Sequence, residues 1–122
     1  HALGVLGPTT LLVHGVQVDE EEVGLLAETG TKVVLCPRSN ANLEVGEAPL
    51  ALYAKHGVEL AQGTDSRGSS PDLDVKNEAR FLWGRAEPRL LVRALTRGGY
   101  RALGLPTPRL TRGTPLSLVH FL

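Results

Sequence analysis

Methionine is absent from this sequence of 122 residues, and cysteine occurs once, as Cys36. A single cysteine excludes a disulfide within the chain and a zinc site built from several thiolates, so we expect a reducing, cytoplasmic setting. No apolar run approaches the roughly 20 residues that a membrane-spanning helix needs. The missing methionine, together with an opening at His1 that resembles the end of a helix, leads us to expect a piece of a longer protein.

An excess of charge of either sign is also missing. Thirteen lysine and arginine residues balance thirteen acidic residues, so the formal net charge is zero at neutral pH. Without a basic stripe or a polybasic run, neither nucleic acid nor an anionic membrane is an expected partner. The sequence is 42% hydrophobic and 21% charged, which is typical of an ordinary globular domain.

Short apolar runs alternate with helical patterns along the chain. Strands that alternate with helices predict a parallel sheet with right-handed crossovers, and the repeat of roughly 25 residues is close to that of an eightfold βα barrel. Buried strands are predicted at Leu11–Val16, Lys32–Cys36 and Val58–Gln62. Helices are predicted at Asp19–Gly30, Ala48–His56, Asp74–Trp83 and Glu87–Leu103, with a loop at Arg38–Glu47.

Two side chains at the predicted strands could carry chemistry. His14 lies within an apolar run, and a lone buried histidine is more often a hydrogen-bonded core residue than a functional one. Asp65 follows the third strand; it either caps the next loop or belongs to a site, and the pattern alone favours neither. Reactive groups gather at the carboxyl ends of parallel strands, so the placement of both residues there favours a site.

A series of short motifs follows one order along the chain. The motifs are Leu-Val-His-Gly-Val at 12–16, Cys-Pro-Arg-Ser-Asn-Ala-Asn-Leu at 36–43, His-Gly-Val at 56–58, Gly-Thr-Asp-Ser at 63–66, Asn-Glu-Ala at 77–79, and the stretches 95–104 and 110–115. The series resembles the amidohydrolase superfamily, in particular its cytosine deaminase and chlorohydrolase-like branch. This resemblance implies the last three βα units of a (β/α)8 barrel over residues 1–104. It further implies a connector and one strand of a small β-sandwich over residues 105–122, and the apolar run Leu116–Leu122 is the predicted strand.

The resemblance also implies roles for the two strand-end residues. Asp65 corresponds to the carboxylate of the last barrel strand, which binds a divalent metal and transfers protons. His14 corresponds to a histidine two strands earlier, which hydrogen-bonds the attacking water or the developing oxyanion without binding the metal. The implied metal is zinc, with iron as the alternative. Such a metal activates a bound water, and a carboxylate beside it can take up the proton that the water loses.

Four further residues near these motifs are candidates for the substrate pocket. Arg38 is a candidate for binding a polar or anionic group, and the alternative is an exposed, solvated side chain. Ser39 and Asn40 are expected to shape the loop over the pocket, with Asn40 as a substrate-binding residue. Ser66 is a substrate-binding candidate that more simply hydrogen-bonds locally. It is not expected to act as a nucleophile, because no base is placed to activate it.

The other metal ligands of this superfamily have no counterpart in the sequence. The His-x-His motif of the first barrel strand and the histidine and acid of the fifth are missing, and neither His1 nor His120 lies in a matching motif. A catalytic zinc needs three or more protein ligands, so the chain alone is not expected to bind metal tightly or to turn over substrate. The missing half of the barrel, or another copy of the chain, is therefore an expected partner.

Two functions from different classes remain. The resemblance implies hydrolytic deamination of a nucleoside-like or other N-heterocyclic small molecule, with aminodeoxyfutalosine and S-adenosylhomocysteine as candidate substrates. The alternative is a non-catalytic, truncated half-barrel or an assembly module, because three parallel strands expose two open edges. An unrelated doubly wound domain is disfavoured, because no glycine-rich phosphate-binding loop follows any strand.

Overall fold

Three short strands form one parallel sheet with the order β1–β2–β3. The computed structural model describes residues 3–107, 109 and 111–113. The strands are β1 (Leu11–Val13), β2 (Lys32–Leu35) and β3 (Leu60–Gln62). The predicted parallel sheet is confirmed, and the part of the chain described by the structure is a mixed α/β unit.

Helices connect the strands and follow the last of them. They are α1 (Glu20–Thr29), α2 (Pro37–Asn42), α3 (Leu50–His56), α4 (Val75–Phe81), α5 (Pro88–Arg93), a π-helical turn (Ala94–Gly98) and α6 (Gly99–Ala102). The last three form one continuous helical stretch, because the junction residues keep right-handed helical dihedrals. Among the described residues, no helix has the length and apolar content that a membrane crossing requires.

Local capping explains where two of the predicted helices begin. The Asp19 side chain accepts from the Glu22 amide while the Glu22 carboxylate accepts from the Asp19 amide, so the two residues form a capping box at the start of α1. Asp74 caps α4 in a similar way, by accepting from the Lys76 amide. Gly30 ends α1 in a left-handed conformation with φ 69°, which glycine adopts without steric cost.

The first predicted strand is too long. β1 ends at Val13, because His14 (φ 72°) and Gly15 (φ 54°) both adopt left-handed backbone conformations that an extended strand cannot contain. His14 therefore lies immediately after the strand rather than inside it. The third strand is also shorter than predicted, since it begins at Leu60 and not at Val58.

The loop predicted at Arg38–Glu47 is wrong over its first part. Pro37 occupies the first position of α2, where its fixed φ suits a helix and its missing amide is not needed. α2 ends at Asn42, and an irregular connection follows to α3.

The hydrophobic core lies between the helices and one face of the sheet. The strand register places Leu12, Val33 and Leu60 side by side on this face. The helices and the residues next to them contribute Val23, Leu26, Tyr53, Leu82, Leu91 and Ala94. Leu35 of β2 and Val58 complete the cluster. On the opposite face Val13 is 47% exposed, and β1 has an open edge within the described part of the chain.

The π-helical turn brings the C-terminal helix against the backbone of β3. A Cβ atom at Gly98 would lie 2.0 Å from the carbonyl oxygen of Leu60, so a residue with a side chain could not occupy this position without moving the helix. The β-sandwich strand predicted at Leu116–Leu122 lies outside the described residues.

Candidate metal and catalytic site

Two predicted site residues meet at the carboxyl ends of the outer strands. His14 follows β1, Asp65 lies shortly after β3, and His14 Nε2 is 3.9 Å from Asp65 Oδ2. Both residues have positive φ, 72° and 60°, and among the described non-glycine residues only Glu44 shares this feature. Such conformations cost about 1–3 kcal/mol each and cluster at functional sites. His14 and Asp65 therefore combine strained backbones with side chains that lie close together.

The Asp65 carboxylate is held by two serine hydroxyls. Ser39 Oγ donates to Asp65 Oδ2 at 2.7 Å, and Ser69 Oγ donates to the same oxygen at 2.9 Å. These two hydroxyls are the main reason that the pKa of Asp65 is lowered, and His14 and the Ser66 amide contribute further. Asp65 is therefore ionised at neutral pH, and neither hydroxyl bonds to its second oxygen, Oδ1.

The imidazole of His14 is held from its other side. Its Nδ1 lies 2.8 Å from Oδ1 of Asn40, while its Nε2 is the nitrogen nearest to Asp65. Asn40 is 3% exposed and the adjacent Ser39 is fully buried. Two consecutive residues of α2 thus contact both strand-end side chains.

Arg38 is engaged by acidic partners within the chain. Its guanidinium donates to both carboxylate oxygens of Asp72, at 2.9 and 2.8 Å, and lies 3.6 Å from Glu78 Oε1. The Arg38 side chain is only 13% exposed, so the alternative of an exposed, solvated arginine is wrong. A contact between Arg38 and substrate stays a prediction.

Glu78 is a buried carboxylate that supports α2. It is fully buried, and its Oε2 accepts from the Arg38 backbone amide at 3.0 Å. Its Oε1 accepts from the Ser70 hydroxyl at 3.4 Å. Burial raises the pKa of Glu78, although the Arg38 amide and guanidinium act in the opposite direction. These contacts give Glu78 a structural role, because it holds the start of α2 against α4.

Ser66 and Cys36 take modest roles in the observed geometry. The Ser66 hydroxyl lies 3.3 Å from that of Ser69, which agrees with a local hydrogen bond. Burial, with the nearby carboxylates of Asp65 and Glu78, raises the pKa of the Cys36 thiol to about 11. Cys36 is thus a protonated thiol near neutral pH, which suits neither a metal ligand nor a nucleophile. Ser69 was not predicted, because a serine in a polar loop carries no pattern that distinguishes it.

The described residues supply only part of a metal site. No group of three or more histidine, cysteine, aspartate or glutamate side chains that could hold a metal ion occurs within this part of the chain. The ionised Asp65 carboxylate, 33% exposed on its side chain, fits as a single ligand. His56 lies elsewhere, at the end of α3, where its imidazole contacts Glu20.

The turn after His14 is fixed by a buried tyrosine. Tyr53 is fully buried, and its hydroxyl donates to the Gly15 carbonyl at 2.5 Å. A Cβ atom at position 15 would lie 2.3 Å from that hydroxyl, so a residue with a side chain at position 15 would collide with Tyr53.

We expect Tyr53→Phe to lower the free energy of unfolding of the full-length protein by about 1–2 kcal/mol, because the Gly15 carbonyl loses its buried donor. Denaturant unfolding followed by circular dichroism measures the change. Because the ring and its packing are retained, an unchanged midpoint would show that the hydroxyl does not stabilise this turn.

The chain is similar in sequence to one protein family and to several known enzymes. The sequence profile of the amidohydrolase family matches residues 1–121. An aminodeoxyfutalosine deaminase from Deinococcus radiodurans is 46% identical over 114 residues, which cover 91% of this chain and 27% of that protein. A 5-methylthioadenosine/S-adenosylhomocysteine deaminase from Halobacterium salinarum is 38% identical, with coverage of 98% of this chain and 30% of the relative. The chain therefore spans less than a third of these relatives.

A solved structure shows the same arrangement of strands and helices. An adenosine deaminase from Xanthomonas campestris, crystallised with bound zinc, superposes with a TM-score of 0.77 and 36% sequence identity. The match covers 84% of this chain and 26% of the solved one. The fold, like the sequence, thus corresponds to one segment of a larger hydrolase.

Proposed function

The chain belongs to the amidohydrolase family, and from this we propose that the full-length protein is a metal-dependent aminohydrolase that deaminates a nucleoside-like heterocycle. The observation that carries the proposal is the meeting of Asp65 and His14, with their backbones in strained left-handed conformations, at the carboxyl ends of two parallel strands. Active sites of barrel enzymes lie at this end of the strands. The relatives described above are named as deaminases of aminodeoxyfutalosine and of 5-methylthioadenosine or S-adenosylhomocysteine. These names give the proposed substrate class.

Asp65 and His14 have different roles in this proposal. Asp65 would hold the metal through its ionised carboxylate and would accept a proton from the attacking water. When bound, a divalent metal supplies a water that is nucleophilic at neutral pH, because it lowers the pKa of that water. His14 hydrogen-bonds the attacking water or the oxyanion that develops on the substrate. Zinc is the proposed metal, because the structurally similar adenosine deaminase contains it. Arg38, Asn40 and Ser66 remain candidates for substrate contacts.

We place the sheet as the last three strands of a (β/α)8 barrel, with residues 1–104 in the barrel and 105–122 leading into a small β-sandwich. The open edge of β1 and the exposed side chain of Val13 support this placement, because in a closed barrel a preceding strand covers that edge. The remaining metal ligands then come from barrel strands outside these 122 residues. A cytoplasmic location is part of the same proposal.

We expect the zinc-loaded full-length protein to release ammonia from at least one of four substrates: aminodeoxyfutalosine, 5-methylthioadenosine, S-adenosylhomocysteine or adenosine. A coupled ammonia assay measures the release. Removing the metal with a chelator should abolish the activity, and added zinc should restore it. A zinc-loaded, folded protein that releases no ammonia from any of them would contradict the proposed substrate class.

The non-catalytic half-barrel is the second candidate. It is favoured by the lack of a group of three or more metal-ligating side chains among the described residues. The reading frame upstream of His1 distinguishes the two. A barrel segment with a His-x-His motif there would support the enzyme, whereas a stop codon close to His1 would support the remnant.

A further inference from the structure

Asn40 is placed to control the proton on the imidazole of His14. Its side-chain oxygen lies 2.8 Å from Nδ1 of His14, and a carbonyl oxygen can only accept a hydrogen bond. With the amide oxygen facing the ring, Nδ1 carries the proton when the ring is neutral. The other nitrogen, Nε2, then holds a lone pair on the side of the ring that is nearest to Asp65.

We propose that Asn40 is a positioning residue that fixes neutral His14 as the Nδ1–H tautomer and presents the Nε2 lone pair beside Asp65. The inference rests on the proposed function in one respect, since it takes His14 to be the residue that hydrogen-bonds the attacking water. An Nε2 with a free lone pair accepts a hydrogen bond from that water, whereas an Nε2–H could not.

The backbone of Asn40 is held by hydrogen bonds on both sides. Its amide donates to the Cys36 carbonyl at 3.0 Å, and its carbonyl accepts from the Val45 amide at 3.1 Å. The residue is 3% exposed, so little water competes for the amide oxygen. The preceding residue, Ser39, donates to Asp65 at 2.7 Å. One turn of α2 thus orients both strand-end side chains, through an acceptor for one and a donor for the other.

A direct substrate contact is the competing role for Asn40. Asn40 also lines a cavity of about 430 Å³ between α2, the start of α3 and the end of α4. An amide that binds substrate from this cavity would change KM when removed. An amide that orients His14 would change kcat and the tautomer, because it acts through the imidazole.

The tautomer can be measured without turnover, by imidazole nitrogen NMR of the zinc-loaded full-length protein labelled with ¹⁵N-histidine. In the wild type we expect neutral His14 to carry its proton on Nδ1. In Asn40→Leu, which matches the side chain in size but lacks an acceptor, the preference should be lost. Asn40→Asp keeps an acceptor oxygen and should retain it. The Nε2–H tautomer in the wild type, or an unchanged Nδ1–H tautomer in Asn40→Leu, would overturn the inference.

Kinetics on the same variants give the second readout. We expect Asn40→Leu to lower kcat about 10- to 100-fold with little change in KM, and Asn40→Asp to recover part of the loss. The matched control is Asn42→Leu, on the exposed side of the same helix, which should leave kcat unchanged. A rise in KM at constant kcat would assign Asn40 to the substrate instead. If no substrate is deaminated at all, the proposed function fails, while the NMR result still decides the tautomer.

Discussion

Replacing Asp65 with asparagine in the full-length protein is expected to lower kcat for deamination by about 10³-fold, with the fold retained. Asparagine has nearly the same shape, and its amide oxygen can still accept from the hydroxyls of Ser39 and Ser69. It has no negative charge to bind a divalent metal, however, and no basic oxygen to accept a proton. Both proposed roles of Asp65 are therefore lost together, which is why the expected effect is large.

The experiment compares kcat, metal content and the thermal unfolding midpoint of Asp65→Asn with those of the wild type. Asp74→Asn is the matched control, because Asp74 caps α4 through the Lys76 amide and asparagine caps helices equally well. Unchanged turnover in Asp65→Asn would remove Asp65 from the mechanism. Loss of activity with a strong fall in the unfolding midpoint would assign it a structural role instead.

The sequence was sufficient to predict the parallel sheet and to place Asp65 after its third strand, whereas the first strand was predicted too long and included His14. Buried parallel strands have continuous apolar runs, and the chemistry of such folds gathers where those runs end. Asp65 and His14 could therefore be proposed as neighbours near the strand ends without coordinates, and their roles in catalysis stay predictions. Their left-handed backbones could not be predicted, because only a minority of histidines and aspartates adopt positive φ and no local pattern marks them.

Helix α2 was missed for a physical reason. Its six residues include two asparagines and a serine, which have low intrinsic helix propensity, and a proline that equally well ends a strand. The contacts that hold it in place come from far along the chain. Glu78, forty residues from Arg38 in sequence, accepts the Arg38 amide, and Asp65 and His14 bind the side chains of Ser39 and Asn40. Local propensity contains none of this information.

The same contacts explain how the site is ordered. Ser39 and Asn40 reach Asp65 and His14 only if α2 begins at the correct residue. The helix start is set by Pro37 and by the Glu78 carboxylate, which accepts the amide of Arg38 at the second helical position. A residue that contacts neither Asp65 nor His14 therefore contributes to their geometry, through the backbone of α2.

For this reason Glu78→Ala is expected to cost about 3 kcal/mol of stability, the largest loss predicted for any structural residue of the chain. Removing a buried acceptor costs about 1–3 kcal/mol for each donor that loses its partner. The Arg38 guanidinium would keep Asp72, but the Arg38 amide and the Ser70 hydroxyl would both lose an acceptor. The side chain is fully buried, so its removal also leaves a cavity.

Denaturant unfolding of the full-length protein measures this loss, and two further variants make it interpretable. Glu28→Ala removes an exposed glutamate from helix α1 and should change stability by less than about 0.5 kcal/mol. Glu78→Gln keeps the volume and one acceptor oxygen but loses the charge, so its stability should lie between those of the wild type and Glu78→Ala. If Glu78→Ala were as stable as Glu28→Ala, the buried carboxylate would not be what fixes α2. The hydroxyl of Ser39 and the amide of Asn40 would then depend on the packing of α2 alone for their positions beside Asp65 and His14.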